Sequence, residues 1–202
     1  MIGSTENVFC VGEPGLDNFL RLELMDRKVL AENLGLDINK KWYLVTLHPE
    51  TKESLSYNLS LARNLMETLK DDSGMQAVIT QSNADLGGVE LNNYFHEIAM
   101  SFPSKFQLYP SLGQLRYLSF MKEAASSSGI VEAPFLGKPV LNLGERQLGR
   151  HLCHNVLSVS GFDNSIKEGL SKLEGQIYSP DYYYGDGLSS QRISKSIHDY
   201  LL

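Results

Sequence analysis

The stretch KWYLVTLHP, residues 41–49, decides the fold. From Trp42 to Leu47 it is an unbroken apolar and β-branched run, closed by a histidine and a proline. A strand with one wet face alternates polar and apolar residues. An unbroken run instead marks a strand covered by helices on both faces, the situation in a parallel sheet.

Outward from this strand the same grammar repeats. Downstream, Leu59, Ala62, Met66 and Leu69 recur at the spacing of one helix face. AVITQ (77–81) then reads as a second strand, followed by a helix over about 89–101, and FQL (106–108) as a third. SLGQLRYLSFMKEA reads as a helix with Leu112, Leu115, Leu118 and Met121 turned inward. PVLNLG and NVLSV are two more strands, with helices at about 164–173 and 189–201, the last carrying Ile193, Ile197 and Leu201 as a stripe. Upstream, residues 8–11 read as a short strand and residues 17–33 as a helix ended by Gly35. Buried strand alternating with amphipathic helix predicts right-handed crossovers and an α/β, doubly wound parallel sheet of the Rossmann-like kind.

Composition narrows the function. The chain has 202 residues, 42% hydrophobic and 21% charged, which suits one domain over 1–202 with a continuous core. A net charge of -6 argues against a general nucleic-acid or membrane surface and leaves room for a local basic pocket that takes a small anion. Cys10 and Cys153 form no spacing pattern, and no leader or run of about 20 apolar residues occurs, so a cytoplasmic protein is expected. The abrupt entry into a strand near residue 8 predicts a domain cut from a longer protein.

One unit breaks the alternation. In KEAASSSGIVEAP (122–134) a helix runs almost directly into serines, with no room for a strand of five or six residues. In the order 3-2-1-4-5-6 the affected strand is the fourth, which lies beside the first at the switch point of the sheet. Its loss predicts a sheet split through its middle. The preferred expectation is that the numbering closes over a short stretch near residues 124–126, with a true deletion as the alternative.

Ligands of such sheets sit beyond the carboxyl ends of the strands, so the loops there carry the candidate chemistry. Ser126, Ser127, Ser128 and Gly129 offer hydroxyls and backbone N–H groups at an expected helix start, which favours phosphate, although plain capping needs only one serine. Glu132, one turn on, is placed to accept both hydroxyls of a ribose or to cap the helix reciprocally. Arg146 in GERQLGR suits a diphosphate, whereas Arg150 reads as a surface partner of Glu145. His48 either donates to a phosphate or sugar hydroxyl or merely ends the strand; Asn83 and Asp85 follow the second strand. His151, Cys153 and His154 lack a fourth zinc ligand, and no cofactor or metal is demanded. YYYGDG (182–187) reads as packing for the final helix or for an absent partner domain.

Taken together, VGEPGLDN, TLHPET, SNADLGG, PSLGQLRYLSFMKEA, SSSGIVEAPFLGKPVLNLGERQLGR and YGDG resemble, in order, the carboxyl-terminal half of the hydrolysing UDP-N-acetylglucosamine 2-epimerases of sialic acid synthesis. The resemblance implies half of a glycosyltransferase-B-type pair of Rossmann-like domains that close on a nucleotide sugar. It carries UDP binding to His48, Asn83, Ser126, Ser127, Glu132 and Arg146, with the backbone near Tyr109 holding the uracil. It also implies that the acid and base residues belong to an amino-terminal domain absent here, so that this chain alone turns over little. The partners so implied are UDP, UDP-N-acetylglucosamine, the absent domain and, through the parent protein, further copies in a homo-oligomer. A strand before the serines is part of the family pattern and does not appear in this sequence. The alternatives are a nucleotide-sugar-binding domain of a B-type glycosyltransferase and a non-catalytic sugar-nucleotide sensor. Within the epimerases, a diacetylated bacillosamine or GDP-linked substrate is the nearest variant.

Overall fold

In the computed structural model, which describes residues 7–126 and 129–201, six runs of strand-forming residues make one parallel sheet. They are β1 (Lys41–Thr46), β2 (Met75–Thr80), β3 (Phe106–Tyr109), β4 (Ala125–Ser126), β5 (Val140–Leu143) and β6 (Val156–Val159). Their spatial order is β3-β2-β1-β4-β5-β6, the expected doubly wound order.

The unbroken apolar run of β1 is explained by what lies on either side of it. Val45 points into a core cluster with Leu61, Leu65, Ile79 and Phe95, built by helices α3 (Leu55–Asp71), α4 (Gly88–Ser101) and α7 (Ser165–Leu173). Trp42 and Leu44 point into a second cluster with Leu30, Leu34, Phe120 and Met121, built by α2 (Arg27–Leu34) and α5 (Gly113–Glu123). Period-2 alternation therefore feeds two largely apolar faces, with the hydroxyl of Thr46 only at the carboxyl end of the strand.

The fourth strand, for which the sequence leaves no room at the usual length, is present as a two-residue strand. The chain leaves α5 at Ala124 and at once forms two strand residues, Ala125 opposite Tyr43 and Ser126 opposite Leu44 and Val140. Two residues suffice to join the halves because parallel strands hydrogen-bond through evenly spaced links, so a minimal strand can satisfy both neighbours at one level.

Three other expectations change. Residues 8–11 form no strand; Val8 and Phe9 are exposed, and the edges of the sheet are β3 and β6. The helix expected over 17–33 is interrupted: α1 (Asn18–Arg21), preceded by a 3-10 turn at Pro14–Asp17, stops at Leu22, and Asp26 starts α2 afresh by accepting the Val29 N–H at 2.9 Å. The Met25 N–H between them is taken by the Ser119 hydroxyl at 3.0 Å, which fixes the break. Finally, Leu115 on α5 is partly exposed, and on α8 (Ser189–Leu201) Ile197 and Leu201 lie in the open. That helix is held at its start, where the Asp17 carboxylate accepts the N–H groups of Ser189 and Ser190 at 2.9 and 2.6 Å. No helix among the described residues is long and apolar enough to cross a membrane.

Leu61, 1% exposed, packs directly beneath Gly161 at the junction of α3 with the loop after β6. Leu61→Ala should lower the unfolding free energy by about 2–5 kcal/mol in urea titrations.

Candidate functional site at the carboxyl edge of the sheet

The loops after β1, β2 and β5 are polar, and neighbouring side chains tie them together. At the tips of β1 and β2 the hydroxyls of Thr46 and Thr80 hydrogen-bond at 2.6 Å. Two residues further, the Asn83 N–H donates to His48 Nδ1 at 3.1 Å, with the Ser82 hydroxyl 3.3 Å from the same nitrogen. This bond sets the tautomer: Nδ1 accepts, so the proton of the neutral ring sits on Nε2. The loop that carries Asn83 is itself anchored, because Asn92 of α4 brackets Ser82 by accepting its N–H at 2.7 Å and donating to its carbonyl at 3.2 Å.

From Asn83 the chain of contacts crosses the edge. Its amide donates to Asp85 at 2.8 Å, and Asp85 lies 3.6 Å from the Arg146 guanidinium, in the loop after β5. Arg146 and His48 line one small pocket, about 50 Å³, together with Glu50, Gly129, Asn142 and Gln147. A far larger cavity, about 340 Å³, lies elsewhere, at the opposite end of the strands. Cavity size does not locate the site; the converging polar groups are at the carboxyl edge.

Glu50 was not singled out in the sequence, where it is one acidic residue in a turn. In the fold it is buried, and Oε1 accepts the N–H of Glu145 at 3.0 Å, which fixes the loop that presents Arg146. Asn58 of α3 holds it in place by accepting the Glu50 N–H at 2.7 Å. Gly144 makes this possible: it adopts φ of 70°, and a β-carbon there would collide with Glu50 Oε1.

The other predicted residues stand as follows. Ser126 contributes its backbone to β4, and Ser127 lies outside the described residues. Ser128 also lies outside the described residues, and the next described helix, α6 (Glu132–Phe135), is a single turn with Val131 at its N-cap and no side-chain cap. The Gly129 carbonyl accepts the Ala133 N–H at 2.8 Å, an i to i+4 link that leads into this turn. Glu132, the first residue of α6, is half-buried and does not line the small pocket; burial raises its carboxyl above the usual range, and the nearby Glu13 carboxylate adds to this. Tyr109 is likewise apart from that pocket: its hydroxyl donates to the carbonyl of Leu34 at 3.3 Å, and its own carbonyl accepts the Gln81 N–H at 3.0 Å. Arg150 forms no ion pair with Glu145; the pairing expected of it is replaced by Arg146 with Asp85.

The His-rich stretch disperses. His151 stacks on Tyr183 at 3.6 Å, His154 meets Asp181 at 3.3 Å, and buried Cys153 has its thiol pushed up to about 11 by burial and by Asp181. Among the described residues no three His, Cys, Asp or Glu side chains come together as a metal group.

A parallel sheet of this order, with polar groups gathered past its carboxyl ends, defines a doubly wound, Rossmann-like type of domain. The family model described as UDP-N-acetylglucosamine 2-epimerase matches residues 2–198, and the chain belongs to that family. A hydrolyzing GDP/UDP-N,N'-diacetylbacillosamine 2-epimerase of Campylobacter jejuni is 30% identical over 178 residues, 85% of this chain and 45% of the relative. A hydrolyzing UDP-N,N'-diacetylbacillosamine 2-epimerase of Legionella pneumophila is 28% identical over 193 residues, 93% of this chain and 50% of the relative. The fold matches that of the UDP-GlcNAc 2-epimerase from Neisseria meningitidis bound to UDP-GlcNAc, with a TM-score of 0.68 and 19% identity over 97% of this chain and 56% of that one. It also matches the Methanocaldococcus jannaschii UDP-GlcNAc 2-epimerase in complex with UDP-GlcNAc and UDP, with a TM-score of 0.71 and 14% identity over 96% of this chain and 56% of that one. The chain thus spans about half the length of the relatives it matches.

The pH dependence of stability follows from His48. Burial, reinforced by the Arg146 guanidinium, holds its pKa below the ordinary histidine value. Stability contributed by the neutral ring is therefore complete above about pH 6.5 and is lost as the pH falls through the lowered folded value. His48→Asn, which retains an acceptor for the Asn83 N–H but cannot titrate, should flatten the fall in thermal midpoint between about pH 7 and pH 5.

Proposed function

We propose that this chain is the UDP-binding half of a hydrolysing UDP-N-acetylglucosamine 2-epimerase, inactive without its partner domain. The observation that carries this reading is the linked set His48, Asn83, Asp85 and Arg146 at the carboxyl edge of a sheet of this family. Neutral His48 offers its Nε2–H to a phosphate oxygen, and Arg146, held by Asp85 and by the loop that Glu50 fixes, faces the diphosphate. Ser126 and Ser127 complete the phosphate contacts, Glu132 accepts the ribose hydroxyls, and the backbone near Tyr109 meets the uracil. The enclosed pocket is phosphate-sized, so the rest of the nucleotide lies along the open edge, to be covered by the other half. That half also contacts the exposed apolar face of α8.

In the proposed reaction the C1–O bond to UDP breaks as the proton on C2 is removed, giving UDP and a glycal. Water then adds across the double bond, with a proton to the opposite face of C2 and hydroxyl to C1, and N-acetylmannosamine is released. The groups on this chain bind the leaving diphosphate and stabilise its charge; the proton-transfer groups belong to the other half. Half a cleft neither excludes water nor orients the sugar. We place the parent protein in the cytoplasm, as an oligomer, and hold that the numbering closes over a short part of β4 near residues 124–126. The two diacetylbacillosamine epimerases among the relatives favour a diacetylated sugar as the second reading.

The parent protein should convert UDP-N-acetylglucosamine in D2O to free N-acetylmannosamine deuterated at C2, followed by NMR, and this chain alone should not. Faster release from UDP-N,N'-diacetylbacillosamine would favour the second reading, and transfer of the sugar only to an added acceptor would refute both. In calorimetric titration, Arg146→Ala should weaken UDP binding by roughly ten- to a hundredfold. Glu132→Gln should weaken it comparably while leaving the thermal midpoint unchanged or raised, because the substitution removes a carboxylate that burial disfavours.

A further inference from the structure

One polar side chain of the small pocket at the carboxyl edge is left unspent by the fold. Around that pocket the Thr46 hydroxyl is bonded to Thr80 at 2.6 Å, His48 Nδ1 to the Asn83 N–H at 3.1 Å, and Glu50 Oε1 to the Glu145 N–H at 3.0 Å. Asn142 donates from Nδ2 to the Ser158 hydroxyl at 3.0 Å, and Arg146 faces Asp85 at 3.6 Å. Gln147 lines the same pocket and is half-buried, yet its side-chain amide has no hydrogen-bond partner among the described residues. An amide carries two donors and an acceptor, and where water is partly excluded a ligand that takes them up is favoured.

The backbone holds this amide in place. The Glu145 carbonyl accepts the Leu148 N–H at 2.9 Å and the Gln147 carbonyl accepts the Arg150 N–H at 3.1 Å, so residues 145–150 form two overlapping turns. Glu50 ties down the start of the first. Arg146 and Gln147 are thus presented to the pocket, as neighbours, by one braced loop.

Strand order decides which part of a ligand meets them. The sheet runs β3-β2-β1-β4-β5, and the nucleotide reading sets the base beside β3 and the diphosphate beside β1 and β5. Four strand spacings, roughly 19 Å, separate β3 from β5. The pocket lined by Arg146 and Gln147 lies at the far end of that path and has room for one phosphate, so it takes the phosphate farthest from the base.

We propose that Gln147 is a specificity-determining residue, whose Nε2–H donates to the second phosphate of a nucleoside diphosphate and so discriminates diphosphates from monophosphates. The inference rests on the nucleotide reading given under the proposed function and adds a residue to it. Arg146 supplies charge, and the amide supplies a directed donor that leaves the charge of the pocket unchanged.

Calorimetric titration of this chain with UDP and with UMP, at about pH 8 where the terminal phosphates are fully ionised, tests the assignment. Gln147→Leu, similar in size but without donors, should weaken UDP binding roughly tenfold, leave UMP binding within about twofold, and keep the thermal midpoint. Gln147→Glu, which keeps the shape and adds a like charge, should weaken UDP binding further than Gln147→Leu does and again spare UMP. Should Gln147→Leu lower the thermal midpoint, Gln147→Glu carries the same comparison. A wild-type chain that binds neither nucleotide would overturn the nucleotide reading and this inference together. A wild-type chain that binds UDP, with variants that match it or that lose UDP and UMP affinity equally, would overturn this inference alone.

Discussion

Continuity across β4 is the constraint on which this protein rests. Two residues, Ala125 and Ser126, join three strands on one side to two on the other. Without them β1 and β5 would face each other across a gap, and the loops after β1, β2 and β5 would have no shared frame. The register of the join matters as much as its existence. Ser126 sits level with Leu44 and Val140, and Gly129, the next described residue of the chain, helps to line the polar pocket with His48 and Arg146.

At the carboxyl edge, position is fixed through backbone groups rather than through the binding side chains themselves. Asn92 holds the main chain at Ser82, Asn58 holds the main chain at Glu50, and Glu50 in turn holds the main chain at Glu145. His48 and Arg146 then need only extend from fixed loops. Buried polar residues with every bond directed at a neighbouring loop keep such an edge ordered, and each would be costly to leave unpaired.

How much of this could be read from the chain varies with the physics involved. Burial on both faces writes itself into a strand such as residues 42–47, so the sheet and its order were legible. Arg146, Asn83 and His48 were legible as residues that follow strands. Glu50 was not: its importance comes from a loop almost a hundred positions away, and local sequence holds no sign of that partner. The two-residue β4 was missed because strand recognition depends on length, and the next described helix starts only at Glu132, after Gly129 has taken a left-handed φ of 97°. Leu115 and the stripe on α8 have helical spacing but lie exposed, since periodicity reports a face and not what covers it. Glu132 follows the serines closely in the sequence, yet it does not line the enclosed pocket.

The pairing of Cys153 with Asp181 has a practical corollary. A thiol held at about 11 is almost wholly protonated at neutral pH, and this one is also shut away from solvent. Cys10, by contrast, stands exposed in the segment that runs toward the Asp17 clamp on α8. Alkylating dyes will therefore single out position 10 in the native protein, with no need to engineer the second cysteine away.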